Sequence, residues 1–140
     1  MPLLLLLFLL VPLSTSAKDL GELSANRYQQ NSTANPYGAG SPFAPNGINN
    51  PFSPYGSPLS NQSARNPFAS DAPRLYDQQG NYRGKLSVNP YDPDSTNNPY
   101  GRYGSRFSPD SINNPYGAGN PHRADRPTNP YGRGLGMEGR

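Results

Sequence analysis

Apolar residues are arranged in two unlike ways along this chain. Residues 1–13, MPLLLLLFLLVPL, form one unbroken hydrophobic run. From Lys18 onward apolar side chains occur in ones and twos, set apart by Pro, Asn, Ser and Gly. The run is shorter than the roughly 20 residues a membrane-spanning helix needs. It is followed by STSA and the charged pair Lys18-Asp19, and Thr15 and Ala17 place small residues at the −3 and −1 positions of a signal-peptidase site. The pattern predicts a secretory signal peptide over residues 1–17, cleaved after Ala17. It is atypical in that no Lys or Arg precedes the apolar run.

Beyond the signal, neither the helical period of 3.6 nor a sustained strand alternation is present. Sixteen of the 18 prolines lie after residue 17, and an interior Pro costs a helix about 3 kcal/mol, so almost no helix is expected. One stretch, RLYDQQGNYRGKLSV (Arg74 to Val88), reads as a central hairpin. Leu75 and Tyr76 enter the first strand, Asp77 to Gly80 turn, and Tyr82 to Val88 return, with Gly80 suited to a positive φ. Residues 18–34 and 133–140 lack the motif described next and are expected to be flexible.

The remaining apolar groups follow a beat. NPY or NPF begins at Asn35, Asn50, Asn66, Asn89, Asn98, Asn114 and Asn129, and NPYG stands at Asn35, Asn98, Asn114 and Asn129. With NYRG at Asn81 counted as a copy that has lost its Pro, the starts 35, 50, 66, 81, 98, 114 and 129 are 15 to 17 residues apart. A weaker mark falls midway, as in SPF at Ser41, SPL at Ser57 and NPH at Asn120. The motif has a physical reading. A type I turn favours Asn first, Pro second and Gly fourth, and Asn bonds to the backbone two residues on. Tyr then occupies the third position, at the outer corner of the turn. SPDS at Ser108 and DPDS at Asp92 fit the same template. The fold expected over residues 35–132 is therefore a turn-rich, mostly irregular repeat chain with short β-hairpin elements. The alternative is a compact small all-β repeat, solenoid-like or closed.

Composition sharpens this picture. Residues 18–140 hold six Leu, two Ile, one Val and four Phe, 13 of 123. That lies below the one-fifth level associated with disorder, so an ordinary globular core is not expected. No Cys is present, which removes the disulfides of small exported domains. Twelve basic and nine acidic residues give +3, spread without a basic block. Strong attraction to nucleic acid or anionic membrane is not predicted. Arg outnumbers Lys ten to two, which favours planar stacking over point-charge contacts.

Candidate chemistry is sparse. The single His, His122, sits in NPHRAD where other copies place an aromatic, and reads as a substituted turn residue. No Ser lies in GxSxG, and no strand–turn–helix context surrounds one. DPDSTN (Asp92 to Asn97) resembles the start of a calcium loop, but Asn97 stands where Gly is required and Tyr103 where Glu is required. No catalytic, cofactor-binding or metal-binding residue is predicted, no cofactor, and no enzyme. Sequons occur at Asn31 and Asn61 and matter only in a source that glycosylates them. What remains is aromatic: Tyr37, Tyr100, Tyr103, Tyr116 and Tyr131 are the candidate contacts, suited to stacking on sugar rings, on bases or on one another.

The block LYDQQGNYRGKLSVNPYDPDSTNNPYGRYGSRFSPDSINNPYGAG (Leu75 to Gly119) resembles short exported bacterial proteins of unknown function that carry NPYG repeats. The resemblance implies export and a bacterial origin, and brings no activity, cofactor or site with it. The expected function is a secreted or periplasmic, non-enzymatic structural or binding protein of the cell envelope or extracellular space, with polysaccharide or another envelope protein as partner. No specific nucleic acid and no membrane span after signal removal are expected. Two other readings stay open: an exported interaction module that orders on binding through the central hairpin, and a cytosolic Tyr/Arg-rich nucleic-acid or self-associating protein if the signal is not cleaved.

Overall fold

A computed structural model describes residues 18–139. The signal peptide expected over residues 1–17 lies outside the described residues. No helix occurs among the described residues. Four strands do: β1 Lys18–Leu23, β2 Arg74–Tyr76, β3 Tyr82–Lys85 and β4 Leu135–Gly139. They form one open sheet in the order β1-β4-β2-β3, with every neighbouring pair antiparallel.

β2 and β3 make the hairpin at the centre of the chain. Tyr76 faces Tyr82 in register, the Gly80 amide closes the turn on the Asp77 carbonyl at 3.0 Å, and Gly80 has φ +86°. The return strand stops at Lys85, short of Val88.

The two end segments are a correction to the sequence reading. Lys18–Leu23 and Leu135–Gly139, expected to be flexible, pair with each other along their length, and β4 occupies a central place between β1 and β2. Leu20, Leu75, Leu135 and Met137 point from these strands into a small core that Ile48 and Tyr55 complete. Burying aliphatic side chains at about 1.5–3 kcal/mol each is what orders the ends. Four of the six core residues thus stand on the strands.

The chain is also an inexact duplication with an offset of 63 or 64 residues. GELSAN at Gly21 matches GKLSVN at Gly84, and NSTANPYG at Asn31 matches DSTNNPYG at Asp94. Gly21 and Gly84 both have φ +94°. Glu22 bridges to Ser32 and Lys85 to Ser95, both in parallel sense. The strands are exchanged between halves: β1 of the first half pairs with β4 of the second, and β3 of the second with β2 of the first. The two parallel bridges place a turn segment beside each outer strand. The edges thereby acquire hydrogen-bond partners and are blunted against pairing with another chain.

Residues 24–73 and 86–134 are almost entirely turns. From Gln29 to Ser53 each turn begins on the residue that ended the one before. The amides of Ser32, Asn35, Gly38, Ser41, Ala44, Gly47, Asn50 and Ser53 each donate to the carbonyl three residues back. Every third residue is thus a corner, and from Ser32 to Ser53 the corners carry Asn, Ser, Gly or Ala. Twice the step lengthens to four: Ser57 donates to the Ser53 carbonyl and Ser105 to the Gly101 carbonyl, both at 3.0 Å. Five three-residue steps separate Asn35 from Asn50, and one longer step accounts for the extra residue between Asn50 and Asn66.

Candidate aromatic interface

Asn89 Oδ1 accepts the Tyr91 amide at 3.0 Å, and the Asn of each of the other six NPY or NPF turns does two jobs. Its Oδ1 accepts the amide of the aromatic two residues on: Tyr37 to Asn35, Phe52 to Asn50, Phe68 to Asn66, Tyr100 to Asn98, Tyr116 to Asn114 and Tyr131 to Asn129, all at 2.9 or 3.0 Å. Its Nδ2 donates to the carbonyl six residues back, two turns earlier, as in Asn35 to Gln29 and Asn98 to Asp92. Asn is required because Ser cannot span both distances and Asp has no donor. Pro at the second position presets φ and needs no partner for its missing N–H. With the backbone pinned on both sides, the third residue of each turn is held outward.

Exposure follows from that frame. Tyr37, Tyr100, Tyr116 and Tyr131 are between 87% and 96% exposed. Tyr103, which shares no such turn, is buried: it lies in the four-residue step Gly101–Ser105, which turns its ring inward. There it meets Tyr82 edge-on at 5.1 Å between ring centroids, with the Arg102 guanidinium 5.5 Å from its own centroid. Tyr55, in the other long step, is buried in the core. The outward set is larger than the five tyrosines singled out from sequence. Tyr28, Tyr91 and all four phenylalanines after residue 17 (Phe43, Phe52, Phe68 and Phe107) are exposed as fully. The sequence signal for them was the same template with Ser or Asn first. His122 occupies such a third position, its amide donating to Asn120 Oδ1 at 2.9 Å, and is exposed.

Six charged side chains are linked to one another. Arg102, Asp110, Arg83, Asp77, Arg123 and Asp125 form one alternating chain. Its contacts are 2.7 Å (Arg102–Asp110), 3.2 Å (Arg83–Asp110), 2.9 Å (Arg83–Asp77), 3.7 Å (Arg123–Asp77) and 2.8 Å (Arg123–Asp125). Burial pushes the Asp77 carboxyl up, but hydrogen bonds from Asn81 and then Arg83 outweigh it and hold it below its usual value. Asp110 is held low first by its hydrogen bond from Arg102, and Asp125 by that from Arg123. Burial, then the Asp94 carboxylate that accepts its hydroxyl at 3.1 Å, pushes the Tyr82 phenol up.

In DPDSTN the Asp92 side chain caps its own turn through the Asp94 amide and pairs with Lys85 at 3.3 Å. Among the described residues no group of three His, Cys, Asp or Glu side chains is placed to hold a metal ion. Among the same residues no helix is long and apolar enough to cross a membrane. No protein-family model matches the chain, and no curated protein and no solved structure matches it.

Proposed function

We propose that this chain is an exported, non-enzymatic binding protein of the cell envelope or extracellular space, whose contact surface is the set of outward rings on its turns. One observation carries the reading. All four phenylalanines after residue 17 stand in water while Leu, Ile, Met and a single Tyr make the core. Burying a Phe is worth about 1.5–3 kcal/mol. A chain with so few apolar groups, and with ring-bearing corners fixed by paired Asn hydrogen bonds, supports a surface built for an occupant. Aromatic faces stack on the C–H faces of sugars, and turn-to-turn spacing suits a polymer with many equivalent contacts. The apolar run over residues 1–13 and the small residues up to Ala17 support export, and with it polysaccharide outside the cytoplasm as partner.

The test is retention on purified wall polysaccharide, with sedimentation of the free protein measured alongside. The reading expects retention that weakens stepwise as Tyr37, Tyr100, Tyr116 and Tyr131 are changed to Ser. No retention together with a monomer at high concentration would discard it.

A further inference from the structure

We infer a discrete subsite for an acidic sugar residue, one carrying a carboxylate, in the cavity of about 390 Å³ lined by Arg106, Ile112, Asn113, Pro115, Arg126 and Pro127. The inference rests on the polysaccharide reading above and names one class of sugar within it.

The duplication supplies the comparison. A cavity of about 300 Å³ lies at the matching place in the first half, offset by 63 or 64 residues and lined in part by Ile48, Asn49, Ala64 and Arg65, but its acceptors are taken up by the protein itself. There the Arg65 guanidinium donates to the Ile48 carbonyl oxygen at 3.1 Å and to Asn49 Oδ1 at 2.8 Å. In the second half the matching acceptors belong to Ile112 and Asn113, and the residue matching Arg65 is Thr128. Asn113 holds the same pose as Asn49. Asn113 Nδ2 donates to the Thr96 and Gly104 carbonyls, as Asn49 Nδ2 does to those of Thr33 and Gly40. Its Oδ1 is therefore aimed as Asn49 Oδ1 is, without the guanidinium that takes up the first-half acceptors.

Both arginines of the cavity are departures from the turn pattern. Arg106 stands where the matching first-half turn has Pro42, and so gives up the preset φ of Ser41-Pro-Phe43. Arg126 stands at a corner where the matching Ser63 accepts the Arg65 amide through Oγ at 3.0 Å, a bond an Arg side chain cannot make. The other described arginines of the second half, Arg83, Arg102, Arg123 and Arg133, each meet a carboxylate. Arg106 and Arg126 meet none among the described residues, and they share one cavity. Two unpaired guanidinium groups call for an anion. Two acceptors, the Ile112 carbonyl and Asn113 Oδ1, call for hydroxyl donors. Ile112, Pro115 and Pro127 call for an apolar face. A uronic acid offers all three in one ring, whereas inorganic phosphate lacks the apolar face and a neutral sugar lacks the charge.

Calorimetric titration of the protein with trigalacturonate, maltotriose and inorganic phosphate tests this. Trigalacturonate should bind at least about tenfold more tightly than either control, the difference expected for a charge-assisted contact. Arg106→Gln with Arg126→Gln should remove that preference. Thr128→Arg should also weaken trigalacturonate binding by about tenfold or more, because it recreates the first-half arrangement and takes up the Ile112 and Asn113 acceptors, although it adds a positive charge. These three side chains are exposed or half-buried, and an unchanged amide NMR spectrum would show that the variants fold. If Thr128→Arg leaves the affinity unchanged or raises it, bulk charge is responsible and the subsite is wrong. Equal binding of maltotriose and trigalacturonate, or displacement by phosphate, also overturns the subsite while leaving the ring-based reading intact. Failure of the wall-polysaccharide retention itself removes that reading instead.

Discussion

Asn114 Nδ2 donates to the Ser108 carbonyl oxygen, six residues earlier, at 2.9 Å, while Asn114 Oδ1 takes the Tyr116 amide at 3.0 Å. One side chain thereby ties a turn to its second predecessor and to its own exit. Asn114→Asp keeps the acceptor, loses the donor and sets a carboxylate against a carbonyl in a buried position. It should lower stability by about 1–3 kcal/mol, read as a shift of the urea midpoint with the m-value unchanged. Asn120→Asp is the control: for Asn120 the described contact is acceptance of the His122 amide, so its loss should be smaller.

Gly21 and Gly84 need glycine twice over. Both have φ +94°, and a Cβ on Gly84 would lie 2.6 Å from the Asp94 carbonyl oxygen and 2.6 Å from Tyr103 Cβ. Gly84→Ala should cost more than the roughly 1 kcal/mol usual for strain at positive φ. It should also loosen the Tyr82–Tyr103 ring pair, seen as loss of near-ultraviolet circular dichroism. Gly80 at the hairpin tip has φ +86° but open space around it, so Gly80→Asn should be tolerated.

Acid should destabilise the fold through Asp77, Asp110 and Asp125. Their folded pKa values are depressed. The stability they contribute is therefore complete above the unfolded carboxylate value, about 3.9, and is lost as pH falls through the folded values. The urea midpoint should be flat from about pH 7 to 5 and fall below about pH 4. Asp77→Asn, which removes the junction shared by Arg83 and Arg123, should lower the midpoint at neutral pH and flatten the decline in acid.

Core and surface rings should respond in opposite ways to truncation. Tyr55→Ala removes a buried ring from a six-residue core and should cost about 3–5 kcal/mol. Phe52→Ser and Tyr100→Ser remove exposed rings and should change stability by no more than about 0.5 kcal/mol each. A larger loss at the exposed positions, measured by denaturation of the free protein, would mean that the rings serve the fold rather than a ligand.

Local chemistry in the sequence was enough to place the hairpin, with a return strand from Tyr82 that stops at Lys85 and not at Val88, and the outward Tyr of each NPYG, because Asn, Pro and Gly act within four residues. The inward turn of Tyr103 was not legible in the same way: it depends on a single added residue in the step from Gly101 to Ser105. Strands β1 and β4 were missed for a different reason. LGMEG carries two glycines and only two apolar side chains, and its pairing partner Lys18–Leu23 lies more than a hundred residues away. The duplication was readable in GELSAN and GKLSVN, but the shorter beat of the NPY motifs runs across it. Arg65, Arg106 and Arg126 were likewise visible only as scattered charge until the two halves could be set side by side.

The exchange of strands between halves also governs how the molecule assembles. The hairpin β2–β3 closes over a short loop and can form early, yet its other neighbour, β4, comes from residues 135–139, which in turn secure β1 at residues 18–23. Closing so long a loop has a high entropic cost before any core contact repays it. Neither half can complete its sheet alone, so folding should be slow, all-or-none and resistant to being divided into independent fragments.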